Sequence, residues 1–310
     1  MEYGAHLPLI EFDGARQTLA DLRAYARGAA TLGYRYLCAN DHLLFGRPWV
    51  DGPTALAATI EASGDMTLAT TVCLPVIRGP VQSAKMLAAI DILSGGRLVA
   101  GVGPGSSARD YAAIGVPFEE RWPRFEEAIR ALRSLLGEQS ESFAGSFYST
   151  QGLSLQPAPS SAAGPPIWVA SWGSPAGLRR AARLGDGWLA SGYNTSPSGF
   201  GASRARLDQA LAAAGRVPGR FPNAIATMWL YVSEARQDAE RMLRDVLAPM
   251  LGRPVEALRD LSLPVGSAEQ CAQRISAYQA AGAERIFVWP LADELHQLER
   301  FREDVVPLVS

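Results

Sequence analysis

The sequence predicts an α/β fold, and three observations carry that reading. Short β-rich runs alternate almost throughout with longer segments whose apolar residues recur three and four apart, the signature of repeated βα units around a parallel sheet. Eight such runs follow one another along the chain. That number closes on itself as a TIM (β/α)8 barrel, whereas an open doubly wound sheet usually needs fewer. Residues 138–165 break the rhythm with a mixture of Gly, Ser, Pro and alternating aromatics, and the alternation then resumes. The stretch therefore reads as an insertion, holding a small hairpin and a loop, within one domain spanning residues 1–310.

Tyr3–Leu9 reads as the first strand, followed by a helix from Leu19 to Leu32 that Gly33 stops. The second strand, Tyr36–Ala39, leads through NDHLLFGRPWVDGP to a helix at Thr54–Ala62. Thr67–Cys73 is the third, ending at Leu74-Pro75 before a helix over Val81–Leu93. The fourth, Arg97–Val102, opens into a glycine-rich loop and a helix over Trp122–Leu136. Beyond the insertion, Ile167–Ala170 and Gly187–Ala190 are the fifth and sixth, each with its helix, Ala176–Leu184 and Ser203–Ala214. Ala224–Val232 is the seventh, trailed by helical sequence to Leu258 and a helix over Ala268–Ala281. Arg285–Trp289 closes the set, and a terminal helix follows.

Composition removes several function classes. With 29 Lys plus Arg against 31 Asp plus Glu, the net charge of −2 gives no bulk attraction for nucleic acid or an anionic membrane. The first residues, MEYGAHLPLIEFDGARQ, lack the basic flank and apolar core of an export signal. The longest apolar run, AIATMWLYV, falls well short of the roughly 20 residues that span a bilayer. Cys38, Cys73 and Cys271 are odd in number and set among apolar residues, as buried free thiols in a reducing cytoplasm would be. None of the three histidines has zinc-helix spacing, so no metal is expected.

A barrel places its chemistry in the loops at the carboxyl ends of its strands. After the fourth strand comes GVGPGSSARD, which superficially resembles a dinucleotide fingerprint. A dinucleotide loop runs directly into its helix, whereas here about a dozen loop-like residues precede the helix at Trp122. The glycines around Gly103, Pro104, Gly105 and Ser106 still permit a planar ring or phosphate to approach the backbone, and a mere tight turn is the alternative. Asp41-His42 follows the second strand at the rim, where a histidine oriented by a carboxylate exchanges protons near neutral pH; a purely structural loop pair is the bland reading. In ASWGSP, which holds Trp172 and Gly173, Ser174 before Pro175 caps a helix whose free amides suit an anion, or merely start an ordinary helix. Phe45, Trp49, Trp172, Tyr193 and Trp289 concentrate on the same rim loops, as an apolar cavity for a flat ring would require. Glu11, just past the first strand, is either a pocket acid/base group or an exposed loop carboxylate.

Taken together, GYRYLCANDHLL, the stretch from MTLATTVCLPVIRGP through GVGPGSSARDYAAIGVPFEERW, PPIWVASWGSPAGLRRAARLGDGWLAS and GSAEQCAQRISAYQAAGAERIFVWP resemble the bacterial luciferase-like oxidoreductases. These are TIM barrels with an insertion that use reduced flavin or coenzyme F420. The resemblance implies that Gly103–Ser106 line the ring side of the pocket and that Trp172–Ser174 receive the cofactor phosphate. It also implies that Asp41 and His42 contact the cofactor, that His42 donates a proton, and that Thr71-Val72 form a bulge with a non-prolyl cis peptide behind the ring. Leu74 matches a further cofactor contact, and homodimers are the family's habit. Two departures stand out. Ser106 replaces the Glu of F420-dependent sugar-phosphate dehydrogenases, and their phosphate-binding lysines have no counterpart beside the single Lys85. The leading expectation is F420-dependent hydride exchange with a small organic substrate. The alternatives are an FMNH2- and O2-dependent monooxygenase and a catalytically silent flavin-binding protein.

Overall fold

The computed structural model describes residues 1–12, 14, 16–138 and 141–310. Nine strands are present among the described residues: β1 (Glu2–His6), β2 (Tyr36–Ala39), β3 (Thr67–Thr70), β4 (Leu98–Val102), β5 (Ile167–Ala170), β6 (Gly187–Ser191), β7 (Asn223–Val232), β8 (Val265–Gly266) and β9 (Arg285–Pro290). All but β8 pair side by side in parallel from β1 through β7 to β9, and β9 returns to β1. This closed ring is the expected TIM barrel. The short β8 lies outside it, extending only the far end of β7, and two residues are too few to carry a readable periodicity.

Strand periodicity sorts the core into two layers. Tyr36, Cys38, Ala69, Val99, Trp168, Leu189, Ala224, Ala226 and Phe287 pack against one another inside the barrel. Their strand neighbours Leu37, Leu68, Leu98, Ala100, Val169 and Ile225 belong to the larger cluster beneath the helices. The barrel interior alternates large and small residues: a Cβ on Gly4 would stand 2.9 Å from Tyr36 Cβ, so that position stays bare for its aromatic neighbours. Cys38, Cys73 and Cys271 are free and buried, in keeping with the expectation. Burial pushes the thiols of Cys73 and Cys271 up to about 12.

Several boundaries differ from the sequence reading for local reasons. β1 stops at His6 because Leu9 N turns back onto Leu7 O. The second helix starts at Gly52, two residues earlier than expected, since the Asp51 carboxylate accepts the Thr54 amide at 3.0 Å. β3 gives way at Thr70 to a cis Thr71-Val72 bond, and the chain then rejoins β4 through a Cys73–Val102 bridge. The glycine-rich segment contains an unanticipated helix, Ala108–Ala113, capped by Ser107. In the insertion, Gln139 and Ser140 lie outside the described residues; the expected hairpin is reduced to an isolated Ala144–Ser149 bridge. Glu127 anchors that turn by accepting the amides of Ser146, Phe147 and Tyr148 at 2.8, 2.7 and 3.1 Å. No helix among the described residues is long and apolar enough to cross a membrane.

Candidate active site

The loops at the carboxyl ends of β2 through β6, with Ala226 and Thr227 from within β7, enclose a cavity of about 430 Å³. Asp41, His42, Thr71, Val72 and Leu74 line it from one side, and Gly103, Pro104, Gly105 and Ser106 from the loop after β4. Trp172, Ser174 and Tyr193 complete this set from the loops after β5 and β6. Gly173 is behind the wall, where φ of +93° and its amide bond to Ser171 Oγ at 3.2 Å shape the turn. Glu11, Phe45, Trp49 and Trp289 do not line the cavity. Glu11 instead faces Arg16 at 3.8 Å.

The slot is held open from behind. A Cβ on Gly103 would stand 2.7 Å from Val72 Cγ2, so a side chain there would collide with the bulge. Asn40 Oδ1 accepts the amides of Asp41 at 2.8 Å and Val72 at 3.0 Å, tying the loop after β2 to the cis segment. Tyr111 donates to Pro104 O at 2.6 Å and fixes the glycine loop. Thr71 Oγ1 meets His6 Nε2 at 2.8 Å, and the His6 ring stacks on Trp289 at 3.8 Å with 4° between planes. Burial drives His6 down to about 3, so it is neutral at physiological pH.

The sequence reading of Asp41 as the partner of His42 is corrected by the geometry. Both Asp41 oxygens are taken by Arg78, at 2.7 Å from Nε and 2.6 Å from Nη2, and Leu74 N donates to it at 3.3 Å. Arg78 also binds Asp51. The carboxylate beside His42 is Asp110, with 3.6 Å between Nδ1 and Oδ2, longer than a hydrogen bond. Asp110 is 2% exposed and accepts the Leu44 amide at 3.0 Å. Burial by itself would push its pKa up, but His42 and the Leu44 amide outweigh it and hold the carboxyl below its ordinary value. Phe45 and Trp49 pack on His42 at centroid distances of 4.9 and 4.8 Å. Trp49 continues the wall to Trp289 at 5.4 Å, and Trp289 to Trp229 at 4.6 Å.

At the other end of the slot, Ser174 Oγ accepts Gly177 N at 3.2 Å and starts the helix Pro175–Leu184. That helix start lies beside Ser174 and Gly177 in the cavity wall, where free amides and the helix dipole favour negative charge. Arg121 also lines the cavity and makes no ion pair among the described residues; its guanidinium lies 4.0 Å over the Phe118 ring.

His6, Asn40, Arg78, Asp110 and Arg121 escaped the sequence reading. Only Asp110 left a usable signal, the Ser107-Ala108-Arg109-Asp110 spacing of a helix start.

A closed parallel barrel whose strand ends converge on one apolar slot, with a histidine–carboxylate pair at one side and a helix tip at the other, puts a small-molecule cavity where barrel enzymes carry their active sites. The chain belongs to the luciferase-like monooxygenase family, whose sequence model matches residues 5–253. It is 33% identical over 214 residues to an F420-dependent hydroxymycolic acid dehydrogenase of Mycobacterium tuberculosis, a match covering 66% of this chain and 56% of that enzyme. An F420-dependent glucose-6-phosphate dehydrogenase of Kribbella flavida is 29% identical over 324 residues, covering 93% of this chain and 94% of the relative. Among solved structures, an F420-dependent secondary alcohol dehydrogenase in complex with an F420-acetone adduct shares the fold, with a TM-score of 0.85, 17% identity and coverage of 100% and 99%.

Proposed function

We propose that this chain is an F420-dependent oxidoreductase acting on a small organic substrate, with His42 as the proton-exchanging group. Relatives named for F420 support the cofactor. The chemistry rests on one observation: His42 stands in the wall of the slot with the ionised Asp110 behind it.

The residues present fit the cofactor. A Cβ-free Gly103 against Val72, with Leu74 and the Gly105 turn, leaves an apolar slot for a planar ring. Ser174 and the following helix start would hold the phosphate. When bound, F420 supplies a two-electron hydride donor or acceptor. The protein's part is to position the ring, exclude water and move one proton. With Nδ1 facing Asp110, Nε2 of His42 is the atom that exchanges that proton. Asp41 acts through Arg78 to fix the loop rather than as a free contact.

A phosphorylated sugar is set aside as the substrate. Ser106 stands where the sugar-phosphate enzymes resembled here place a Glu. Lys85 is bonded to the Gln156 carbonyl in the insertion and does not line the cavity. The reading further takes residues 1–310 as one functional domain, in a cytoplasmic homodimer; the three free buried thiols support a reducing compartment.

Titration of the purified protein with F420 and, separately, with FMNH2 under anaerobic conditions tests the proposal. Saturable F420 binding is the expected result. Tight FMNH2 binding with oxygen consumption and no affinity for F420 would overturn it in favour of a monooxygenase.

A further inference from the structure

β7 passes the cavity with a defect. Its pairing with β9 slips between Ile225 and Met228, and within the slip Thr227 has φ of +56°. Left-handed backbone is costly for a β-branched residue and, where it occurs, marks positions held for another purpose. Thr227 is 4% exposed and lines the cavity. The other cavity hydroxyls nearby are engaged: Ser171 Oγ with Gly173 N at 3.2 Å, Ser191 Oγ with Asn194 Nδ2 at 2.9 Å, and Thr71 with His6. Thr227 makes no side-chain hydrogen bond among the described residues. Its oxygen is nevertheless absent from the sealed, partnerless polar atoms, so the space it reaches is the cavity it lines.

Position in the ring gives this hydroxyl a role. β7 is separated from β3 by β4, β5 and β6 on one side and by β2, β1 and β9 on the other. Thr227 therefore stands directly across the barrel mouth from the Thr71-Val72 bulge. A ring resting on Val72 turns its opposite face to Thr227. The cavity wall beside it is Leu189, Ala190, Ser191, Tyr193 and Ala226, none of them charged, while the cation Arg121 lines the cavity from beyond the loop after β4.

We infer that Thr227 is a substrate-binding residue, hydrogen-bonding the hydroxyl or carbonyl oxygen of a small uncharged alcohol, aldehyde or ketone on the ring face opposite Val72. The placement of the ring rests on the F420 reading above. The same test separates the two proposals.

The protein saturated with F420 is titrated with propan-2-ol, cyclohexanol, cyclohexanone and, as an anionic comparator, glucose 6-phosphate, with cofactor fluorescence as the readout. At least one neutral probe is expected to bind and glucose 6-phosphate is not. Thr227→Val keeps the β-branched shape and is expected to weaken that probe about three- to tenfold, the value of one hydrogen bond. Thr227→Ser restores it, and both variants retain wild-type affinity for F420. Absence of binding by every neutral probe, unchanged probe affinity in Thr227→Val, or loss of F420 affinity in that variant would each overturn the inference. If F420 itself fails to bind and FMN binds, the functional reading falls, and the same probes on the FMN-loaded protein judge Thr227 alone.

Discussion

At the scale of the residue, the histidine's carboxylate partner is the informative detail. Sequence adjacency points from His42 to Asp41, but the chain folds back so that Asp110 faces the imidazole while Arg78 takes both Asp41 oxygens. Two variants separate proton transfer from positioning. His42→Ala is expected to lower turnover about 10²–10⁴-fold, the range for a general acid–base group, while F420 affinity in equilibrium titration is retained. Asp110→Asn removes the charge but keeps an acceptor for the Leu44 amide. Because the folded-state pKa of Asp110 is depressed, its contribution to stability is present above the ordinary carboxylate pKa and is lost as pH falls through the folded value. Urea denaturation is therefore expected to find Asp110→Asn less stable than the parent by about 1–2 kcal/mol at pH 7, with the gap closing in acid.

Elements set the slot more than individual side chains do. Gly103 follows directly on β4, and its bare Cα is what lets that loop lie against Val72 of the neighbouring bulge. Gly103→Ala is expected to cost about 1–3 kcal/mol of stability through overpacking. It should also weaken F420 at least tenfold, about 1.4 kcal/mol, measured by thermal melting and fluorescence titration respectively. The legibility of these elements was uneven for physical reasons. The eight barrel strands are long enough to show their apolar runs, and rim loops follow directly from them, so Asp41, His42, Gly103–Ser106, Trp172 and Ser174 could be named from position, while Thr71, Val72 and Leu74 came from resemblance and Arg121 was missed. The cis bond came from family resemblance, since no propensity of Thr or Val announces it. The slip in β7 was invisible because inserting a bulge inside AIATMWLYV leaves its apolar character intact. Asp110 and Arg78 lie in short helices after β4 and β3, and no local pattern encodes their long-range partners.

For the whole molecule, the barrel couples its core to its site through His6. This side chain is buried between Trp289 and Thr71, and its pKa falls from 6.5 to about 3. The unfolded chain takes up a proton below the ordinary value while the native state does not. Stability is therefore expected to fall as pH drops from about 6.5 toward 3, by up to about 1.4 kcal/mol per pH unit from this group. His6→Gln should flatten that part of the profile relative to the parent, as followed by denaturant midpoints between pH 7 and 4. The central claim is that the carboxyl ends of the barrel strands form one slot that holds the cofactor by its ring and its phosphate. A crystal structure of this chain with F420 tests it most directly. The ring is expected against Val72 and Gly103, with the phosphate on Ser174 and the helix start at Pro175. A ring bound outside this slot, or a phosphate held away from that helix, would contradict the account.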